Sequence, residues 1–504
     1  MSTETPWEKS AAEEGVTESE RALTRLARKA FLSLWSYPNV FTDEGRVTGK
    51  GDGKELCDLL VVFGNDVLLF SDKHCHYNSD TPVEVAWPRW YKRAIEKSVR
   101  QLTGAEKFAR AFPNRIYTDR QCQAKLPIAL PGPDAARFFL IAVTRGAHDA
   151  ARIHFGSGSS GSFILRSDIR GKQHYENPFH VGFPLDNGRF IHVLDEATVD
   201  LLLEELDTVA DLVEYLECKE AFFSNPNAIV AIPGEEELLA EYMTTLRGGR
   251  HALPEVPPDF DFFAFPEGSW NDYARSHQRE AKREADKVSY AWDRVIEHHS
   301  GFIRAGTALS FTLPEPSGGD HERVVRAMAS LNRLVRRKCA ADLLYVLSQD
   351  PEGGVFARMS MLGTPPDRCF VFLAVKRQSD ISYDEYRESR RMYLTTYCNA
   401  IREQMPSLKE AIGIAAEPFS DGESSFEFIY VDHSSPMSVE EQRMWREMAD
   451  ELGIVRPTAP EKFNRGTTFE FPIAFGREPT QKQPNLNRAE RRKLQALARR
   501  KRRP

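Results

Sequence analysis

The alternation of apolar and polar positions divides the chain into recognisable elements. Leu23, Leu26, Ala27, Ala30, Phe31 and Leu34 recur at helical spacing. They predict a helix capped by Thr17, with Glu18 and Glu20 in its first turn and its end at Pro38. Thr42–Gly53, rich in glycine and charge, reads as a loop. Two β-rich apolar runs, Leu59–Phe63 and Val67–Phe70, then flank Gly64-Asn65-Asp66, which is a hairpin signal. A helix is expected over Pro88–Phe112, and the uninterrupted run Arg137–Arg145 suits a strand buried on both faces.

Beyond a glycine/serine stretch, Phe155–Ser162, expected to be a mobile loop, the pattern predicts a strand at Phe190–Val193. Long helices are expected at Ala197–Glu220 and Gly234–Leu246, followed by a proline-rich linker, Leu253–Pro266. Residues 268–300 read as charged helix and His321–Leu347 as a basic helix. Strand-like runs follow at Gly354–Leu362, Cys369–Val375, Ile412–Ala416 and Phe426–Val431. Helices are expected around Asp384–Glu403 and Ser438–Leu452. The fold class is therefore α/β. A leader (1–16) precedes an α/β sandwich (17–150), a mostly helical middle region and linker (151–266), a C-terminal α+β domain (267–480) and a tail (481–504).

Bulk properties narrow the classes. At 504 residues the chain exceeds one ordinary core. Hydrophobic residues at 41% and charged residues at 28% fit a globular protein, and no apolar run approaches a membrane span. Seven scattered cysteines with no CxxC pair suit reduced thiols, so a cytoplasmic location is expected. The net charge of -7 excludes a uniformly basic nucleic-acid binder, but charge is uneven. The tail LNRAERRKLQALARRKRRP concentrates Arg488, Arg491, Arg492, Lys493, Arg499 and Arg500 around only Leu494 and Leu497. It reads as an arm for a phosphate backbone, with a protein's acidic groove as the competing partner. Arg323, Arg326, Arg333, Arg336, Arg337 and Lys338 form a second basic run, either a solvated face or a further phosphate contact.

The candidate chemistry lies on the hairpin. Glu55 and Asp58 stand at the head of its first strand, Asp72 and Lys73 at the end of its second. In an antiparallel pair these ends are neighbours. Clustered carboxylates attract a hard divalent cation, Mg²⁺ or Mn²⁺, and a lysine beside them can orient a water or steady charge on a phosphate. His74-Cys75-His76 alternate across a strand and have no second ligand pair at zinc spacing, so they suit the rim of such a site.

Helix, an acid at the head of a hairpin, an acid and lysine at its end, and a helix carrying Gln101 resemble the PD-(D/E)xK nuclease superfamily, with its restriction-endonuclease-like fold. The resemblance covers residues 17–150. It implies a metal site built from Glu18 or Glu20, Asp58, position 71 and Lys73, with Gln101 as the helix glutamine. It also implies Mg²⁺-dependent cleavage of nucleic acid, DNA first and RNA second, in repair or defence. Position 71 is Ser71, not an acid. Asp72, brought round by a bulge, or Glu55 would then supply the missing carboxylate. A silent nuclease-like fold acting as a binding module is the other expectation.

Overall fold

The computed structural model describes residues 18–47, 49, 51–156, 158–305, 318–351, 354–422, 425–454 and 468–472. The elements in chain order are α1 (Glu18–Phe31), β1 (Ser36–Thr42), α2 (Glu44–Val47), β2 (Lys54–Phe63), β3 (Asp66–His74), α3 (Val83–Tyr91), a π-helical turn (Lys92–Glu96) and α4 (Lys97–Ala111). Next come β4 (Ile116–Tyr117), β5 (Arg137–Arg145), α5 (His148–Phe155), β6 (Ile164–Arg170), β7 (His180–Phe183), β8 (His192–Asp195), α6 (Glu196–Glu205) and α7 (Val209–Phe223). They are followed by β9 (Ile229–Ile232), α8 (Glu235–Thr244), β10 (Leu246–Arg247), β11 (Arg250–His251), β12 (Phe262–Ala264), α9 (Ser269–Ala274), α10 (His277–Asp286) and α11 (Tyr290–Arg304). The remaining elements are α12 (Gly318–Ala329), α13 (Arg333–Leu347), β13 (Val355–Gly363), β14 (Pro366–Val375), α14 (Tyr383–Gln404), β15 (Glu410–Ala416), β16 (Phe426–Asp432) and α15 (Val439–Glu451). The class is mixed α/β. Among the described residues no helix is long and apolar enough to cross a membrane.

The first sheet has the order β4-β1-β2-β3-β5-β8. β1, β2 and β3 are antiparallel, whereas β5 runs parallel to β3 and β8 parallel to β5. Two corrections arise here. α1 ends at Phe31, where Leu32 takes a left-handed φ of 63°, and Pro38 lies inside β1 instead of closing the helix. Pro38 pairs with Leu59 on one side, while β4 reaches only Phe41 and Thr42 on the other, so the missing N–H falls where no neighbour needs it. The sheet also runs past residue 150, because β8 is its last strand.

The sheet has helices on both faces. α1 and α6 share one apolar cluster with Leu59, Val61, Leu68 and Phe70, and α3 and α4 share another with Leu60, Val62, Val67 and Leu69. The first cluster continues through α7, α8 and α11 to α13 as far as Phe370 and Ile412 of the last sheet, so the expected domains share a core. The helix expected from Pro88 starts earlier, at Val83, and carries Pro88 inside, where it removes the N–H that would reach the Glu84 carbonyl; a π-helical turn follows at Lys92–Glu96.

The helix expected over Ala197–Glu220 is two helices. Thr208 caps α7 by accepting from the Asp211 N–H, and Asp207 leaves the helix to pair with Arg333. Part of the expected linker, Phe262–Ala264, adds β12 to a sheet ordered β12-β9-β6-β7. The last sheet has the order β13-β14-β15-β16, with β14 and β15 parallel across α14.

Candidate active site

Pairing of Leu59 with Phe70 and Leu60 with Leu69 fixes the hairpin register. Alternation then decides which side chains can meet. Ser71 and Lys73 continue the Val67, Leu69 side of β3, and Asp58 continues the Leu60, Val62 side of β2. All three face α4. Asp72 faces the opposite way.

The distances follow that division. Lys73 Nζ is 3.5 Å from Asp58 Oδ2, and the backbone N–H of Asp72 donates to the same oxygen at 2.5 Å. The Ser71 hydroxyl lies 3.2 Å from both the Ser98 hydroxyl and Gln101 Oε1 on α4. Gln101 thus stands over position 71.

Glu55, three residues before Asp58, would face away from it on a regular strand. The β1–β2 register slips between Val40–Cys57 and Phe41–Glu55, which resets the alternation. The Glu55 carboxyl hydrogen-bonds with Asp58 as a result. Burial and then this acidic neighbour push the Asp58 carboxyl up to about 7; Lys73 and the Asp72 N–H act in the other direction. The Asp58 side chain is 3% exposed, that of Lys73 23%, and Glu55 is exposed, so the pair opens to solvent at the strand end.

The Asp72 carboxylate does not join them. Arg145, at the end of β5, holds it with Nε at 2.9 Å from Oδ1 and Nη2 at 3.0 Å from Oδ2. No bulge in β3 turns it back: the strand keeps an unbroken parallel register with β5 from Asp66 to His74. Arg145 was foreshadowed only as the basic end of an apolar run. His74, the last residue of β3 and paired with Arg145, and His76, two residues beyond the strand, are both exposed. Glu18 and Glu20 lie in the first turn of α1, and their side chains fall outside the described residues.

Among the described residues no group of three or more His, Cys, Asp or Glu side chains has metal-holding geometry. What the hairpin assembles is a two-carboxylate set, Asp58 and Glu55, beside one lysine. That set fits Mg²⁺, which binds through one or two carboxylates and takes its remaining oxygens from water and substrate phosphate.

The second basic run divides in two. Arg333 pairs with Asp207 and Asp293, Arg336 with Asp293, and Arg337 with Asp286, all three being buried. Neither a solvated face nor a phosphate track describes these three, because their charge is spent inside the protein. Lys338 pairs with Asp342. Arg323 and Arg326, on α12, line an open cleft of about 550 Å³ with Arg137, Arg368 and the hairpin tip Gly64-Asn65. That cleft also holds Asp66, Glu410 and Asp432, and it lies at the end of the hairpin away from Lys73.

The glycine/serine stretch is tied down in part: Ser162 is buried, and the Ser160 and Ser162 side chains hydrogen-bond to Glu236 of α8. Arg488, Arg491, Arg492, Lys493, Arg499 and Arg500 lie outside the described residues. Compared with known proteins, the chain matches no protein-family model, no characterised protein and no solved structure.

Proposed function

We propose that the protein is a Mg²⁺-dependent nuclease, with DNA as its first substrate, acting through Asp58, Glu55 and Lys73. The observation that carries this reading is the Asp58 carboxyl, hydrogen-bonded to Glu55 and 3.5 Å from Lys73 at a solvent-open strand end. It is supported by the order of parts on which the resemblance to the PD-(D/E)xK nucleases rests: helix, hairpin with Asp58 at its head and Lys73 at its end, and a helix bringing Gln101 to position 71. That support is analogy at the level of fold, which leaves the chemistry to the site.

In this reading Asp58 and Glu55 lose their shared proton and hold the cation. The cation supplies Lewis acidity at a phosphate oxygen and lowers the pKa of water. Lys73 orients the attacking water and steadies the charge that develops on phosphorus. One P–O bond forms to the water oxygen, which releases a proton to solvent, and one breaks to the sugar oxygen, which takes a proton from solvent. Gln101 and Ser71 position the strand that carries Lys73. The basic tail, through Arg488, Arg491, Arg492, Lys493, Arg499 and Arg500, holds the nucleic-acid backbone or an acidic protein partner.

A second reading, a silent nuclease-like fold serving as a binding module, is favoured by one specific feature. Position 71 carries a hydroxyl, and the neighbouring acid, Asp72, is neutralised by Arg145. Cleavage of labelled single- and double-stranded DNA with Mg²⁺ or Mn²⁺ separates the two. The nuclease predicts cutting that Lys73→Ala and Asp58→Ala each abolish. Binding without cutting, under every metal condition, would establish the module instead.

A further inference from the structure

The last sheet has an edge whose composition belongs in a sheet interior. β13 pairs with β14 on one side, and among the described residues no strand lies on its other side. Its sequence, VFARMSMLG, is apolar toward both faces. Val355, Ala357, Met359 and Met361 pack toward the α14 core, while Phe356 and Leu362 pack toward the core that α13 covers.

Natural edge strands are kept from pairing by shortness, proline, charge or a covering element. The first sheet follows that rule, ending in the two-residue β4 and the four-residue β8. At the far side of the last sheet, the edge strand β16 carries two acids, Glu427 and Asp432. β13 has nine residues, no proline and a single charge, Arg358, which lies 2.9 Å from Asp342 of α13. The apolar surface extends beyond the strand, because Tyr345 of α13, 47% exposed, packs at 5.9 Å from Phe356.

We propose that β13 is the interface of a homodimer, in which two copies of the strand pair antiparallel about a two-fold axis at Met359. Opposed residues in an antiparallel pair share a face. In this register Phe356 meets Leu362 of the second copy on the α13 side. Ala357 meets Met361 and Met359 meets its own equivalent on the α14 side, so both cores continue across the axis. Arg358 stands opposite Ser360 of the second copy, on the face that also carries that copy's Asp342. No like charges oppose one another. The contact is isologous and closes at two chains, leaving an eight-stranded sheet with β16 at each end.

Light scattering on the full chain during size exclusion reads the result. The wild type is expected at twice 57.3 kDa, and Met359→Lys, which sets two ammonium groups face to face, at 57.3 kDa with an unchanged circular dichroism spectrum. A wild type that stays at the single-chain mass up to tens of micromolar overturns the proposal, as does a dimer that Met359→Lys leaves intact. Should that variant misfold, the milder Met359→Cys decides the matter. Oxidation is then expected to yield a dimer containing a peptide linked from 359 to 359, and a dimer without that linked peptide places the interface elsewhere.

Discussion

Asp72 and Arg145 form a two-pronged ion pair on the side of the first sheet opposite Lys73, with the Asp72 side chain wholly excluded from solvent and that of Arg145 12% exposed. The pair ties β3 to β5 beneath the candidate site. Through its backbone N–H, the same Asp72 steadies Asp58 on the other side. One residue thus serves the site with its main chain and the core with its side chain.

Removing the cation from that pair leaves a buried carboxylate without compensation. Arg145→Ala is expected to cost about 3–5 kcal/mol, measured as a lower urea midpoint at unchanged slope. Asp72→Ala added to it should restore part of the loss. A double variant no more stable than Arg145→Ala would show that the pair contributes little.

Asp58 should trade stability for function. Its carboxyl sits at about 7 against an ordinary 3.8, so the folded state holds a proton that the unfolded state releases between those values. The stabilising proton is present below 3.8, and its contribution is lost as pH rises through about 7. Above pH 7 the folded protein therefore bears a charge cost on the order of 2–4 kcal/mol. Asp58→Asn is expected to raise Tm at pH 8, with little effect near pH 4, and to abolish cleavage. Added Mg²⁺ should raise the Tm of the wild type alone, more at pH 8 than at pH 6. An equal Mg²⁺ shift in the variant would remove Asp58 from the cation site.

The parts of the fold legible in the sequence were those with strong apolar runs. The β2–β3 hairpin, β5 and β14 announce themselves because interior strands exclude polar residues from both faces. β1 was hidden by Pro38, which is a helix terminator by default and is tolerated here only because its N–H faces no partner. The break between α6 and α7 was invisible for another reason: Asp207 leaves the helix for Arg333, a residue 126 positions away. At the site, the sequence pattern put Asp58 beside Lys73, which lie 3.5 Å apart, while Gln101 reaches Ser71. It did not decide between Glu55 and Asp72, since that choice rests on a register slip between β1 and β2 and on the presence of Arg145.

His299 predicts a separate acid sensitivity. Burial of this α11 side chain against Phe428 of β16, whose ring centroid is 4.2 Å away, lowers its pKa to about 4, with His321 and His298 adding to the effect. The unfolded chain binds this proton near 6.5 and the folded chain near 4, so stability is full above 6.5 and falls as pH drops toward 4. The loss is roughly 3 kcal/mol across that window. His299→Phe should flatten the dependence of unfolding free energy on pH between 6.5 and 4. A slope identical to that of the wild type would refute the assignment.

Asp293 tests what the arginines of α13 do. It accepts from Arg333 Nη1 and Arg336 Nη1, each at 2.7 Å, and the Arg336 side chain is 0% exposed. The remaining Arg336 donors go to the carbonyls of Leu331 and Ala329, so the guanidinium closes the turn between α12 and α13. Asp293→Ala strips this buried cation of its counter-charge and is expected to cost about 3–5 kcal/mol, with little dependence on salt. DNA affinity measured well below the new Tm should stay unchanged. Surface arginines bound to phosphate would give the reverse, a small stability change and a shallower dependence of affinity on salt.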